Sequence, residues 1–252
     1  PRPAAGGGYG LMRELFLGDV WYWFVLMAAA SYLVGCFNFA LLISKLKHKD
    51  VRKMGSGNPG TMNMSRQFGL KIGGLTLFLD MVKGGLPVLA GYLIFRDCVF
   101  AGTDVLVSDF TRYLCGVSVI VGHIYPVTMK FKGGKGVAST LGMYAFALCC
   151  EEWWMIFVVL GILVLTLLYI LVSEWGSMGS LLGITLLTAA QGIFFYRRYA
   201  GLLLNGWVIA VFLLLALDCF LTWFAHRKNL VALLAGEEHR TSVKKLSHKN
   251  KG

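Results

Sequence analysis

One stretch of the sequence decides the fold class, residues 153–173, which read WWMIFVVLGILVLTLLYILVS. It contains no charged residue, and a helix that crosses about 30 Å of hydrocarbon needs roughly 20 such residues. Five further runs are equally free of Asp, Glu, Lys and Arg: 20–44, 113–129, 136–150, 175–196 and 199–217. The sequence therefore predicts an all-α, polytopic membrane protein.

The composition of the whole chain agrees with this prediction. Of 252 residues, 57% are hydrophobic and 15% are charged, whereas soluble domains carry about 45–50% and about 25%. The six cysteines mostly lie inside apolar runs and form no C-x-x-C pair, which disfavours a disulfide framework and a zinc site. A net charge of +11 in such a chain favours anionic lipid and anionic substrates over nucleic acid.

The apolar runs define a bundle of about seven transmembrane helices within residues 20–225. The predicted spans are about 20–44, 72–95, 113–130, 136–150, 153–173, 177–195 and 200–225. Residues 1–19 are predicted to form an extracytoplasmic tail, and residues 226–252 a cytoplasmic motif with a basic tail. No basic segment precedes a short apolar one near residue 1, so we do not expect a cleavable signal peptide here.

Lysine and arginine are unevenly distributed among the connecting segments. Seventeen of the 24 lie in the loop 45–71, the segment 130–135 and the tail after residue 225. Six lie on the opposite side, and Lys83 lies within a span. The positive-inside rule places the richer side in the cytoplasm. With seven spans, the N-terminus is then outside and the C-terminus inside. Arg197 and Arg198 run against this distribution.

A few polar residues interrupt the apolar runs. Asp80 and Lys83 lie three residues apart on one helical face, which predicts either an ion pair facing the bundle interior or a direct role in chemistry. For Asp218, in the last span, the structural role is favoured. His123 also lies in an apolar run, which is more typical of a hydrogen-bonded packing residue than of a base.

Three glycine-rich polar segments fall on the predicted cytoplasmic side, and the first is residues 49–66. Its glycines expose backbone N–H groups, its short polar side chains add donors, and its arginine offers a planar fork that suits phosphate. A flexible loop is the alternative, but the density of glycine and donors favours anion binding. The candidate phosphate-binding residues are Ser56, Gly57, Asn58, Gly60, Asn63 and Arg66.

The second segment, residues 122–138, reads GHIYPVTMKFKGGKGVA. Glycines alternate with lysines directly before the fourth span, which resembles an oxyanion nest leading into a helix N-terminus. It is not a Walker A loop, because Gly136 rather than Ser or Thr follows Lys135. Lys132, Gly133 and Gly134 are candidates for phosphate binding, and Lys135 is a candidate catalytic residue.

The third segment, residues 226–238, follows the last span. His226 and Asn229 are three residues apart, so they share a helix face, and both are candidate catalytic residues. Glu238 completes the segment as a candidate substrate-site residue. Such a cluster alone can be a basic cap at the membrane interface, but three polar clusters on one side of one bundle favour a common site.

These segments resemble the signatures of the bacterial acyl-phosphate:glycerol-3-phosphate acyltransferases, the PlsY type. The family pattern S-G-N-P-G-A-T-N-x-x-R is matched by Ser56 to Gly60, Asn63 and Arg66, and Met62 stands in place of the threonine. The pattern G-H-x-x-P-V-x-x-x-F-K-G-G-K-G-V-A is matched without a gap at 122–138. The third, H-R-x-N-x-x-R-L-x-x-G-x-E, is matched at 226–238, with Ala232 in place of an arginine. The resemblance also implies a site serine near the fifth span, for which Ser173, Ser177 and Ser180 compete and Ser177 is favoured.

The resemblance implies a multi-pass enzyme of the bacterial cell membrane that transfers an acyl group from acyl phosphate to glycerol 3-phosphate. The product is lysophosphatidic acid, and no cofactor, metal or obligate protein partner is expected. None of the five histidines begins an H-x-x-x-x-D motif, so the His–Asp base of acyl-CoA-dependent enzymes is absent. His226 is left with two roles, general base or phosphate-positioning residue.

Two other functions fit part of the sequence. A transporter or exchanger of a phosphorylated anion shares the basic pocket, but transporters place their site near the midplane and often show internal repeats. A non-catalytic scaffold that binds anionic lipid explains the lysines after residue 240, but not the glycine-rich segments. The acyltransferase is therefore the preferred prediction.

Overall fold

The chain folds as a helical bundle, described by a computed structural model over residues 12–238. Seven helices of this part have 15 or more residues and three have eight. They are α1 (Leu17–Gly35), α2 (Phe39–Leu46), α3 (Thr61–Phe68), α4 (Leu70–Phe95), α5 (Val107–Ile124), α6 (Val137–Glu151), α7 (Ile156–Ser173), α8 (Gly176–Arg198), α9 (Gly206–Ala225) and α10 (Arg227–Leu234). Most of the predicted N-terminal tail and the basic tail after residue 238 lie outside the described residues.

Five helical segments are long and apolar enough to cross a membrane. They are Leu17–Leu46, which joins α1 and α2, and Leu70–Phe95, Trp153–Ser173, Gly176–Arg198 and Gly206–Ala225. The other two long helices, α5 and α6, are the most enclosed, with most of their residues buried. Because neighbouring helices rather than lipid cover them, α5 tolerates polar residues and α6 can be short. This is the architecture of a multi-pass membrane protein.

The boundaries of the first and last predicted spans differ from the observed helices. The predicted span 20–44 is broken after Gly35, and α2 restarts at Phe39, where the Asn38 Oδ1 atom accepts the Leu41 N–H at 2.8 Å. The last span begins at Gly206 rather than at residue 200. There the Asn205 Oδ1 atom accepts the Trp207 N–H at 2.9 Å, which is a typical helix N-cap.

The third predicted span, 113–130, is shifted toward the N-terminus. Helix α5 begins at Val107 and ends at Ile124, because Pro126 lies just beyond its end and cannot continue a helix. The earlier start includes the charged residues Asp109 and Arg112, whose atoms Oδ1 and Nη2 lie 2.7 Å apart. Mutual pairing is what allows both residues to lie inside a buried helix.

One short parallel sheet departs from the all-helical prediction. Strand β1 (Arg13–Leu15) pairs with β2 (Cys98–Phe100), with Arg13 opposite Cys98 in the register. The sheet ties the segment before α1 to the connection between α4 and α5. It therefore links these two segments at the end of the bundle where α5 begins.

A buried ion network holds the same end of the bundle. Asp109 and Arg112 of α5 contact Glu151 at the end of α6 and Arg198 at the end of α8. The Arg198 Nη1 atom lies 3.0 Å from Asp109 Oδ2, and the Tyr199 hydroxyl donates to the same oxygen at 2.5 Å. Two carboxylates thus balance two guanidinium groups. This pairing explains why Arg198 opposes the general distribution of basic residues.

Glycines permit close contact between the long helices. A Cβ atom added to Gly142 of α6 would lie 1.9 Å from the Met81 carbonyl oxygen of α4, and one added to Gly84 of α4 would lie 2.0 Å from the Ser139 carbonyl oxygen of α6. Small residues at such crossings are a common way of packing helices in membranes. The α4–α6 contact therefore depends on the absence of side chains at these positions.

We expect Gly142→Val to lower the free energy of unfolding, because its side chain would overlap the α4 backbone. Overpacking typically costs about 1–3 kcal/mol, which thermal unfolding in detergent micelles would detect as a lower Tm. Gly161→Val in α7 is the matched control, since no atom lies within 4 Å of a Cβ added there. Equal Tm values for both variants would contradict the packing argument.

Candidate active site

The three polar segments come together at the end of the bundle opposite the ion network. Helices α5 to α9 alternate in direction, so α5 and α9 end where α6 and α8 begin. Residues 125–136 connect α5 to α6, and the α9–α10 corner lies beside them. The first segment runs through the loop before α3 into the first turns of that helix. The predicted clustering of the three segments is therefore present in the fold.

Lys135, Asn229 and Glu238 form a chain of hydrogen bonds across this end. The Lys135 Nζ atom donates to Asn229 Oδ1 at 2.6 Å, and Asn229 Nδ2 donates to Glu238 Oε1 at 3.1 Å. Arg66 is close enough for its charge to act on Lys135. Burial lowers the pKa of Lys135, the Glu238 carboxylate opposes this shift, and the Arg66 cation adds to it. The three segments thus share one electrostatic environment.

His226 lies at the corner between α9 and α10 and is 2% exposed. Its Nδ1 atom is 2.8 Å from the Thr222 carbonyl oxygen. Because a carbonyl can only accept, Nδ1 must carry the proton, and the Nε2 atom of the neutral ring is left as an acceptor. Burial, together with the neighbouring Lys135 cation, lowers the pKa of His226 to about 4. His226 is therefore neutral at physiological pH.

Asn63 has a different role from the predicted one. Its side chain is buried, and its Nδ2 atom donates to the carbonyl oxygens of Val51 at 3.2 Å and Met54 at 2.9 Å. Its Oδ1 atom accepts the Ser56 N–H at 3.4 Å. The amide is thus occupied in shaping the loop, which corrects its assignment as a direct phosphate ligand.

The other residues of the first segment lie around this amide. Ser56 is exposed, Gly57 and Asn58 are half-buried, and Gly60 precedes the first residue of α3. Gly57 has a φ of +69°, which glycine adopts without strain. The Thr61 hydroxyl is buried without a hydrogen bond to any described residue.

The predicted oxyanion nest is also corrected. The N–H groups of Gly133 and Gly134 donate to the carbonyl oxygens of Ile124 at 3.0 Å and His123 at 3.1 Å, so neither is available to an anion. A Cβ atom on Gly134 would lie 2.3 Å from His123 Nε2, so this glycine is needed for close packing. The donors that remain are the first N–H groups of α6, which have no partner within the helix.

Buried polar residues pack against the glycine loop from the interior of the bundle. The Lys83 Nζ atom lies 2.8 Å from His123 Nδ1, 2.8 Å from the Phe37 carbonyl oxygen and 3.0 Å from Asp80 Oδ1. These contacts join α4 to α5 and to the break between α1 and α2. Of the two roles predicted for Asp80 and Lys83, the geometry fits the structural ion pair, and His123 is a packing residue.

The serine implied by the family resemblance can be chosen by its hydrogen bonds. The hydroxyls of Ser173 and Ser180 donate to the carbonyl oxygens of Tyr169 at 2.7 Å and Gly176 at 2.8 Å. The Ser177 hydroxyl, in the first turn of α8, has no such partner among the described residues. Ser177 therefore remains the candidate. Lys132 is exposed on the loop before α6.

Within residues 12–238, no three His, Cys, Asp or Glu side chains are grouped so that they could hold a metal ion. The described site offers cations, backbone N–H groups and neutral hydrogen-bonding side chains. Lys135 and Arg66 can neutralise phosphate, and the His226 Nε2 atom can accept a hydrogen bond from a hydroxyl. A membrane protein with such a site is suited to transferring groups between phosphorylated substrates.

Comparison with known proteins assigns the family. The sequence profile described as "Glycerol-3-phosphate acyltransferase" matches residues 25–236. A protein of Thermotoga maritima, "Glycerol-3-phosphate acyltransferase 2", is 34% identical over 88% of this chain and 97% of its own length. The Aquifex aeolicus "Glycerol-3-phosphate acyltransferase" is 36% identical over 83% of this chain and 95% of its own.

A solved structure has the same fold. It is described as the glycerol 3-phosphate form of PlsY (YgiH), "an integral membrane glycerol 3-phosphate acyltransferase", and superimposes with a TM-score of 0.70 at 28% identity. The alignment covers 88% of this chain and 98% of the other. The fold and site thus define an integral membrane acyltransferase. The chain belongs to the glycerol-3-phosphate acyltransferase family, which confirms the family predicted from the sequence.

We expect His226 to titrate far below neutrality, because burial and Lys135 both disfavour its charged form. In the imidazole NMR spectrum of the protein in micelles, the signals that disappear in His226→Gln should show a midpoint near pH 4. They should report a neutral ring with Nδ1 protonated between pH 5.5 and 8. A midpoint near 6.5, the ordinary value for histidine, would contradict the buried environment described here.

Proposed function

We propose that the protein transfers a fatty acyl group from acyl phosphate to a hydroxyl of glycerol 3-phosphate, at the cytoplasmic face of a bacterial inner membrane. The products are lysophosphatidic acid and inorganic phosphate. The observation that carries the proposal is the convergence of Lys135, Arg66, His226 and Asn229 at one end of a membrane bundle. Membership of the acyltransferase family supports the reaction type.

The charges at the site suit two phosphorylated substrates. Lys135 and Arg66 offset the negative charge of the phosphates, and the N-terminus of α6 adds a partial positive charge. An arginine at this position can bind phosphate with two parallel N–H bonds. Holding both substrates in one pocket supplies much of the rate, because acyl phosphate is already activated.

The transfer step needs no strong protein base. The glycerol oxygen forms a bond to the acyl carbonyl carbon, the bond from that carbon to the phosphate oxygen breaks, and its electron pair leaves with phosphate. The hydroxyl proton passes to the departing phosphate. A histidine with a pKa near 4 is a weak base, so we assign His226 to positioning: its Nε2 atom accepts a hydrogen bond from the substrate.

A groove in the lipid-facing surface offers a place for the acyl chain. It has a volume of about 490 Å³ and lies between the α1–α2 break and the middle of α4. Its lining is apolar except for Lys83: Leu33, Val34, Phe37, Phe39, Leu79, Val82, Lys83 and Leu86. Because Lys83 contacts His123, which packs against Gly134, the groove lies one side chain away from the glycine loop. A fatty chain can therefore remain in lipid-like surroundings while its phosphate reaches the cations.

The function is tested with purified protein, acyl phosphate and labelled glycerol 3-phosphate. We expect phosphate release in equal amount to new lysophosphatidic acid, and no product when acyl-CoA replaces acyl phosphate. Transport of glycerol 3-phosphate into vesicles without a lipid product would support the exchanger instead. Product formation from acyl-CoA alone would overturn the proposed donor.

We expect Lys135→Ala to lower kcat/KM for glycerol 3-phosphate by about 10- to 100-fold, because a hydrogen bond to a charged group contributes about 1.5–3 kcal/mol. Steady-state kinetics in the assay above measure this change. Lys71→Ala is the control, because Lys71 is an exposed lysine of α4 outside the hydrogen-bond chain. Equal loss in both variants would show that only the overall positive charge matters.

We expect seven crossings with the site in the cytoplasm, as the basic residues and the odd number of long helices both favour. In inverted vesicles, single cysteines at Ser56 and Lys249 should react with a membrane-impermeant reagent. A cysteine at Asp104, at the opposite end, should react only in right-side-out vesicles. Labelling of Ser56 and Lys249 from opposite sides would refute this topology. Lys249 lies outside the described residues, so only its sidedness is predicted.

A further inference from the structure

A row of polar side chains joins α6 and α9 below the site. The Thr140 and Thr222 hydroxyl oxygens are 3.3 Å apart, and both residues are 0% exposed. One helical turn deeper, Tyr144 of α6 lies close enough to Asp218 of α9 to interact with it electrostatically, and the Tyr144 hydroxyl is 2.8 Å from the Thr188 hydroxyl of α8. Above them, Lys135 meets Asn229. We call these three pairs the α6–α9 ladder.

The ladder follows the register of two antiparallel helices. As the residue number rises from Lys135 to Tyr144 on one side, it falls from Asn229 to Asp218 on the other. In the two lower pairs the members are four residues apart within each helix, which is about one turn. The same face of α9 therefore carries the lower pairs and ends at His226, four residues beyond Thr222.

Polar contacts of this kind matter more at the depth of a membrane than at a wet surface. No water is available in hydrocarbon to replace a lost partner, so hydroxyls in facing helices hydrogen-bond to each other. Of the three pairs, only Lys135 and Asn229 belong to the candidate active site, and the residues of the two lower pairs are buried. Their effect on the reaction must therefore pass through the relative position of α6 and α9.

We propose that the Thr140–Thr222 pair is a positioning device that sets Lys135 of the α6 side against His226 and Asn229 of the α9 side. The Thr222 carbonyl oxygen already fixes the His226 ring through Nδ1 at 2.8 Å, so Thr222 acts on the site through both its backbone and its side chain. Sliding or tilting of α9 would separate Lys135 from Asn229. This inference rests on the proposed function and names two residues outside the proposed phosphate contacts.

The test removes the hydroxyl without changing the shape of the side chain. We expect Thr222→Val to lower kcat/KM for glycerol 3-phosphate by about 3- to 30-fold, the range expected for one hydrogen bond between membrane helices. Thr222→Ser keeps a hydroxyl and should retain most of the activity. Thr76→Val is the matched control, since the buried Thr76 hydroxyl bonds only to the Ile72 carbonyl of its own helix, at 2.8 Å.

A paired variant separates positioning from stability. The double variant Thr140→Val/Thr222→Val replaces both partners by apolar groups of the same shape. It leaves no unpaired hydroxyl, so we expect its Tm to be close to that of the wild type. Under the proposal its activity stays as low as that of Thr222→Val. Recovery of activity together with Tm would overturn the proposal and leave the pair a purely structural role.

A double-mutant cycle provides the second readout. In a Lys135→Ala background, the loss caused by Thr222→Val should largely disappear, because the contact that the ladder positions is already gone. Fully additive losses would contradict the proposal. Wild-type protein in the same assay must form lysophosphatidic acid; failure there would count against the proposed function and not against the ladder.

Discussion

The absence of water within a membrane is the constraint on which this structure depends. Every polar group buried among the helices must be satisfied by another part of the chain, or it destabilises the bundle. Arg112 illustrates this constraint, since it is fully buried and contacts both Asp109 and Glu151. Polar residues are consequently gathered into a few clusters, and the position of each cluster in the bundle decides its role.

The two ends of the bundle have opposite electrostatic character. At one end, two carboxylates and two guanidinium groups form salt bridges with each other, so no charge is left over for a ligand. At the other end, Lys135 and Arg66 lie close together with the single carboxylate of Glu238 nearby. The excess of positive charge makes this second end the one suited to an anionic ligand. Burial, reinforced by the Lys135 cation, keeps His226 neutral at this end.

The sequence was sufficient for the class of protein, the family and the three segments of the site, because each depends on local composition or on a contiguous pattern. It was not sufficient for the tasks of individual residues. The amide of Asn63 and the N–H groups of Gly133 and Gly134 look like phosphate ligands in a linear pattern, yet they bond to the chain itself. Such bonds depend on which carbonyl groups the fold brings close, and no spacing rule reveals them.

Long-range pairing was equally hidden. Thr140 and Thr222 are 82 residues apart, and nothing around either residue predicts the other. The four-residue spacing of Asp218, Thr222 and His226 places all three on one face of α9, but it does not identify the helix that this face contacts.

The closed end of the bundle also bears on the choice between an enzyme and a transporter. A carrier must expose its site to each side in turn, which requires the helices to separate at either end. Here the end opposite the site is held by the buried ion network and by the β1–β2 pairing. Opening it would place Asp109, Arg112 and Glu151 in hydrocarbon or water without their partners, and breaking a buried ion pair typically costs about 3–5 kcal/mol. The site at the other end needs no such movement, because a phosphorylated substrate can arrive from water and the acyl chain from the membrane. A bundle that is closed by ion pairs at one end and basic at the other is suited to chemistry at a single membrane interface.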